Sequence, residues 1–174
     1  MSSLEQAFIN AIAAKEIEGV IFEGRSKSGD TYSNVIGNRT LPDGCETPLN
    51  SQDILFLASA SKLLTTIAVL QCCEKGLLEL DKDLRSELPE LLDQGVLVGY
   101  DDSPIFEPLR KPLTLRHLLT HSSGLQYDFS PAASDPNLIR WRNSHPLPKP
   151  APDVPSRYTQ PLIFQPGEGK FVIV

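Results

Sequence analysis

Cysteine is scarce in this 174-residue chain: there are three, an odd number, and two of them (Cys72 and Cys73) are adjacent. Neighbouring side chains on a helix diverge, so a bond between that pair is geometrically poor. No CxxC or zinc-type spacing occurs, which argues against a structural metal site and a disulfide framework. Reduced thiols in an intracellular protein are the expectation. Positive charge is also short. Sixteen Lys and Arg face 22 Asp and Glu, for a net charge of −6. A nucleic-acid surface needs clustered cations, so none is expected. No apolar run approaches the length of a membrane span. The start, Met1 to Gln6, lacks the basic and apolar regions of a secretory signal. A soluble, cytoplasmic protein is expected.

Hydrophobic residues make up 40% and charged residues 22%, which marks a globular chain. The length suits a single domain over 1–174. Fifteen prolines, most of them after residue 100, place the loops late. Leu4, Ala7, Phe8, Ala11, Ile12 and Ala14 predict a helix from about Ser3 to Glu18, with Ser3 and Gln6 as a capping box and Gly19 as its stop. Gly19–Arg25 and Thr31–Gly37 predict a β-hairpin. Residues 39–50 are polar and rich in turn formers, so a loop is predicted there. Ser59 to Gly76 gives the strongest helical signal. Its apolar residues cover more than half the circumference, which predicts a buried helix. A short helix broken by Pro89 is predicted over Leu84–Leu92, and another over Leu113–His121 with Thr114 as cap. A helical patch is predicted around Asn137–Asn143, followed by an extended stretch from His145 to Pro152.

One constellation carries chemistry. Ser59-Ala60-Ser61-Lys62 is the chain's only S-x-x-K. At i and i+3 on a helix the two side chains share a face. A serine in the first turn sits where unpaired N–H groups favour a developing negative charge. A neighbouring lysine can take its proton when burial lowers the amine's proton affinity. The apolar flanks, Ile54–Ala58 and Leu63-Leu64, predict that burial. A plainer reading accounts for the same residues: an N-cap serine and a surface lysine, in a motif that chance supplies about once in a chain of this size.

Other candidates are weaker. His117 and His121 have i, i+4 spacing, but H-L-L-T-H lacks the glutamate of H-E-x-x-H and no third ligand is evident. Hydrogen-bonded structural histidines are expected. Ser122-Ser123-Gly124 is not a nucleophile elbow. Tyr127 and Tyr158 read as packing or surface tyrosines. Arg140-Trp141-Arg142 reads either as an acyl-pocket wall or as a surface helix with one buried aromatic.

Phe56 to Ala68, with Glu74-Lys75-Gly76-Leu77-Leu78 and Leu80-Asp81 after it, resembles the serine β-lactamase and penicillin-binding-protein superfamily. It is most similar to the fungal esterase and transesterase branch, the relatives of the acyltransferase in statin biosynthesis. Pro112 to Leu125 is a second stretch typical of the superfamily. Tyr127-Asp128-Phe129, Trp141-Arg142 and Pro161 to Gly167 resemble the fungal branch in the same order. The resemblance implies an α/β fold of the β-lactamase/transpeptidase type, a helical region packed on an antiparallel sheet represented here by its first two strands. It implies Ser59 as nucleophile, Lys62 as general base, the Ser59 N–H as one oxyanion donor, and Thr114 to Gly124 as a structural helix and loop near the site without catalytic groups. The implied substrate is a small-molecule ester or amide, with an acyl-thioester as a further candidate donor. No cofactor and no metal are implied, and secondary metabolism is the implied setting.

The resemblance also implies a catalytic tyrosine shortly after a Pro-Gly segment. The matching place reads Pro166-Gly167-Glu168-Gly169-Lys170-Phe171, without one. The K-T-G or H-x-G strand that supplies the second oxyanion N–H falls beyond residue 174. The expectation is an N-terminal portion of the family domain, whose Phe171–Val174 end a frameshift or misread intron would explain. Two readings stay open: an acyl-transfer enzyme, and a catalytically inactive truncated fragment or pseudoenzyme.

Overall fold

The computed structural model describes residues 2–128, 134–147 and 159–169. Tyr158, the stretch from Pro148 to Pro152 and the Phe171–Val174 end lie outside them. The chain divides into two compact units, Met1–Ser59 and Ala60–Val174.

The first unit is a helix against a three-stranded antiparallel sheet of order β1-β2-β3. Helix α1 spans Ser3–Ala13, shorter than the periodicity predicts. The chain leaves the helix at Ala14, and Lys15 adopts a positive φ of 59°, so the helix ends well before Gly19. Its cap is Ser2 rather than Ser3. The Ser2 hydroxyl accepts from the Glu5 N–H at 3.2 Å, and the Glu5 carboxylate accepts from the Ser2 N–H at 2.6 Å. Strands β1 (Gly19–Arg25) and β2 (Thr31–Thr40) form the expected hairpin, with Gly19 opposite Gly37. Gly37 has φ +94°, and a Cβ there would lie 2.4 Å from the Glu18 carbonyl, so no other residue fits. The predicted loop over 39–50 is partly wrong. Strand β2 runs on to Thr40, and β3 (Glu46–Pro48) returns along it, with the turn at Asp43 and Gly44 making room for pairing. Phe8 of α1 meets Phe22 of β1 edge-on, ring centroids 5.0 Å apart.

The second unit holds every fully buried side chain among the described residues. It begins with α2 (Ser61–Glu74), which the sequence locates well. Gly76 at φ +68° ends it: the Gly76 N–H reaches the Cys73 carbonyl and the Leu77 N–H the Cys72 carbonyl, a Schellman cap. The predicted helix over Leu84–Leu92 is instead two short 3₁₀ turns, Leu84–Ser86 and Pro89–Leu91, because Pro89 removes a donor in mid-run. An unanticipated hairpin follows, β4 (Val96–Tyr100) with β5 (Pro104–Glu107), turning at Asp101 to Ser103. Helix α3 (Leu115–Leu119) is capped by Thr114 as expected, and α4 (Pro136–Ser144) opens on the Asp135 cap with Pro136 in its first turn.

Two leucine-rich cores hold this unit. One joins Leu84, Leu92 and Leu113; the other joins Leu97 with Leu138 and Trp141. Leu138 and Trp141 are three apart, so one face of α4 presents both to β4. Leu162, fully buried, docks beside β4 through Leu97 N–H to Leu162 O at 2.7 Å and Leu162 N–H to Gly95 O at 3.0 Å. Among the described residues no helix is long and apolar enough to cross a membrane.

The predicted burial of α2 is corrected. No α2 side chain is buried. Leu63 is 67% exposed, and Ile54 and Phe56, on the segment before it, are 99% and 96% exposed. Apolar pattern records that a face tends to be covered. It does not say by what, and among the described residues nothing covers this one.

Candidate functional site

Ala58, Ser59 and Ala60 form a 3₁₀ turn that runs straight into α2. Ser59 is therefore one helical turn ahead of Lys62, and side chains at i and i+3 stack on one face in this geometry. Ser59 is exposed and Lys62 half-buried. Ala58 holds a positive φ of 44°. A left-handed backbone is costly for a residue with a Cβ, and such strain gathers at functional sites. The predicted apolar burial on both sides of the motif is absent: the flanking Leu57, Leu63 and Leu64 are exposed.

Lys62 forms part of a cleft of about 460 Å³ within the second unit. Its α2 wall is Lys62, Thr65 and Thr66. The Thr66 hydroxyl donates back to the Lys62 carbonyl at 2.8 Å, so its methyl is left for the cleft. The facing wall comes from the end of α3 and the loop after it: Leu118, Leu119, His121, Ser123, Leu125, Gln126 and Tyr127. Gln160 completes the lining. The volume is that of an ordinary small-molecule site. Among the described residues no aspartate or glutamate lines it, in a chain of net charge −6, and Lys62 is the one fixed cation in that lining.

The two walls are tied together beyond the end of α2. The Arg116 guanidinium of α3 donates to both Asp81 oxygens, each at 2.7 Å, and the Arg116 N–H reaches the Leu80 carbonyl at 3.0 Å. This bond to Arg116 holds the Asp81 carboxyl below its usual range. The pair is exposed, so it sets geometry more than stability.

The histidines part company. His117 closes a capping box: its Nδ1 lies 3.3 Å from the Thr114 N–H it accepts, while Thr114 Oγ1 accepts the His117 N–H at 3.4 Å. It is structural, as expected. His121 instead lines the cleft with φ +55°. Tyr127 also lines the cleft, where the sequence predicts only packing or surface. Arg140-Trp141-Arg142 resolves to a helix with one buried aromatic, and none of the three lines the cleft. The helix and loop expected near the site over Thr114 to Gly124 line this cleft, and what the sequence reading missed is the continuation of the wall to Tyr127; the signal was the loop position directly after a short capped helix, where scaffolds tend to present function.

The chain belongs to the β-lactamase family, whose profile matches residues 21–169. Among its relatives, lovastatin esterase from Penicillium rubens is 43% identical over 171 residues, 95% of this chain and 42% of that enzyme. Monacolin J acid methylbutanoyltransferase from Aspergillus terreus is 43% identical over 132 residues, 72% of this chain and 32% of that protein. Unliganded simvastatin synthase from Aspergillus terreus superposes with a TM-score of 0.78 at 36% identity, covering 95% of this chain and 43% of the other. The chain thus spans less than half the length of these relatives.

Proposed function

We propose that this chain carries the nucleophile of a serine hydrolase or acyltransferase acting on small-molecule esters or amides through an acyl-enzyme at Ser59. The observation that carries the reading is the one-turn spacing of Ser59 and Lys62 where a 3₁₀ turn runs into α2, with Lys62 in the wall of a cleft that no acid lines among the described residues. The Lys62 amine takes the Ser59 proton as Oγ bonds to the carbonyl carbon. The Ser59 N–H, at the start of the helical run, stabilises the oxyanion. Collapse breaks the bond to the leaving group, which takes its proton from Lys62. Water or an acceptor hydroxyl then releases the acyl group, so hydrolysis and transfer differ only in the second nucleophile. The leucines and Tyr127 suit an apolar acyl chain or ring system. The names of the relatives, a lovastatin esterase and a monacolin J acid methylbutanoyltransferase, point to statin-like esters and methylbutanoyl-type acyl groups as the substrate class; an acyl-thioester is a further candidate donor, since the same attack on a carbonyl carbon would release a thiol.

The purified chain is first shown to melt cooperatively, then treated with 4-nitrophenyl butyrate and a fluorophosphonate probe. Turnover and labelling that vanish in Ser59→Ala, and fall by about 10²–10⁴ in Lys62→Met, support the assignment. A folded sample that neither turns over nor labels identifies a catalytically inactive member of the family instead.

A further inference from the structure

We propose that Arg142, which does not line the cleft, is a positioning residue for it: through Gln160 it fixes the Gln126–Tyr127 wall. The inference rests on the cleft being the acyl-transfer site of the preceding section. Arg142 extends from α4 with all three guanidinium nitrogens engaged. Nε donates to the Asp128 carboxylate, Nη1 to the His145 carbonyl at 3.2 Å and Nη2 to Gln160 Oε1 at 3.2 Å. The side chains of Arg142 and Asp128 are only 12% and 15% exposed, so water offers little competition.

The chemistry of the donors makes the arrangement directional. A guanidinium has no acceptor, so the Gln160 oxygen must face Arg142. The Gln160 amide nitrogen must then point the other way, where it donates to the Gln126 carbonyl. Without Arg142 the Gln160 oxygen loses its donor, and the single bond to the Gln126 carbonyl is left to hold the amide in place. The Gln126 side chain is held separately, its Oε1 accepting from the Asp135 N–H at 2.6 Å at the start of the same helix. Asp128, two residues on, closes the loop back to Arg142. Helix α4 therefore sets a cleft wall to which it contributes no surface.

A lysine at 142 keeps the charge but cannot bond in three directions at once. In Arg142→Lys we expect the Gln126 and Tyr127 backbone amides and the Gln160 side-chain amide to shift in ¹H–¹⁵N spectra of the whole chain, while α2 and β1–β3 resonances stay in place. With 4-nitrophenyl butyrate, KM should rise about tenfold while kcat moves far less, as for other groups that orient a site from behind. Gln160→Glu is the second variant. It keeps an acceptor for Arg142 and removes only the donor to Gln126, so its shifts should concentrate at Gln126 and Tyr127 even if Arg142→Lys folds poorly. Unshifted Gln126 and Tyr127 amides in a folded variant, or an unchanged KM, overturn the proposal. Wild-type chain without turnover or probe labelling would overturn the acyl-transfer reading, while the amide shifts would still decide whether Arg142 positions the wall.

Discussion

The Tyr32 hydroxyl of β2 donates to the Glu5 carboxylate of α1 at 2.5 Å, joining helix to sheet across 27 residues of sequence. The same oxygen accepts from Asn34 Nδ2 at 2.7 Å, and the other serves the Ser2 cap. One carboxylate thus closes a capping box and docks the helix.

These bonds, Tyr32 first, then the Ser2 N–H and Asn34, lower the Glu5 pKa from 4.5 to about 2. A group held below its unfolded value stabilises the fold in its charged form. That contribution is complete above about pH 4.5 and is lost as pH falls toward 2. A ¹³C titration of the Glu5 carboxyl should show no movement between pH 6 and pH 4. Tyr32→Phe should raise the midpoint only part of the way to 4.5, because two donors remain. A wild-type midpoint near 4.5 would mean that the three donors do not converge on Glu5 in solution.

Leu138 and the chain's single tryptophan, Trp141, share a core with Leu97. Leu138 is fully buried, so Leu138→Ala should cost about 2–5 kcal/mol in urea unfolding followed by Trp141 emission. The emission itself should shift to the red in the folded variant as water reaches the indole. A cost under 1 kcal/mol would show that α4 is not packed on β4.

The hairpins differ in how far the sequence reveals them. Gly19 to Gly37 holds two β-type runs around a Ser-Gly-Asp turn, and the hairpin forms as expected. Strand β3 is three residues long and contains Pro48, too short and too polar to stand out from a loop. Strands β4 and β5 carry Val96-Leu97-Val98 and Ile105-Phe106 around an Asp-Asp-Ser turn, but apolar runs this short, beside Pro104 and Pro108, do not stand out as a hairpin. For the proposed site, the S-x-x-K singles out Ser59 and Lys62 as candidates because it is local. The facing wall is not local: Gln160 joins the loop that carries His121 and Tyr127 only in the folded chain, where its amide donates to the Gln126 carbonyl, and no periodicity encodes that.

The exposed apolar face of α2 has a measurable consequence. Leu63, Leu64, Ile67 and Leu70 are all open to solvent, together with Leu77 beyond the helix. Contiguous apolar surface of this kind drives association. The chain should bind an apolar dye and scatter light increasingly with concentration. Leu63→Lys with Leu64→Lys should reduce both, with a stability change within about 0.5 kcal/mol per site because neither side chain is packed. A drop of several degrees in melting temperature would show instead that these leucines are covered in the folded molecule.

Ala58 presents the opposite case, a residue whose backbone is held in a costly conformation directly ahead of Ser59. Its φ of 44° places its Cβ against the following carbonyl, at a cost of about 1–2 kcal/mol for an L-residue. Glycine tolerates the same φ but adds about 0.5–1 kcal/mol of unfolded-state freedom. Ala58→Gly should therefore leave stability unchanged or raise it by up to about 1 kcal/mol in denaturant unfolding followed by circular dichroism. If the strain serves to hold Ser59 in the 3₁₀ turn ahead of α2, the same variant should react more slowly with the fluorophosphonate probe despite being no less stable. A stability loss beyond 1 kcal/mol would mean that the left-handed turn is not adopted, and with it the placement of Ser59 described above.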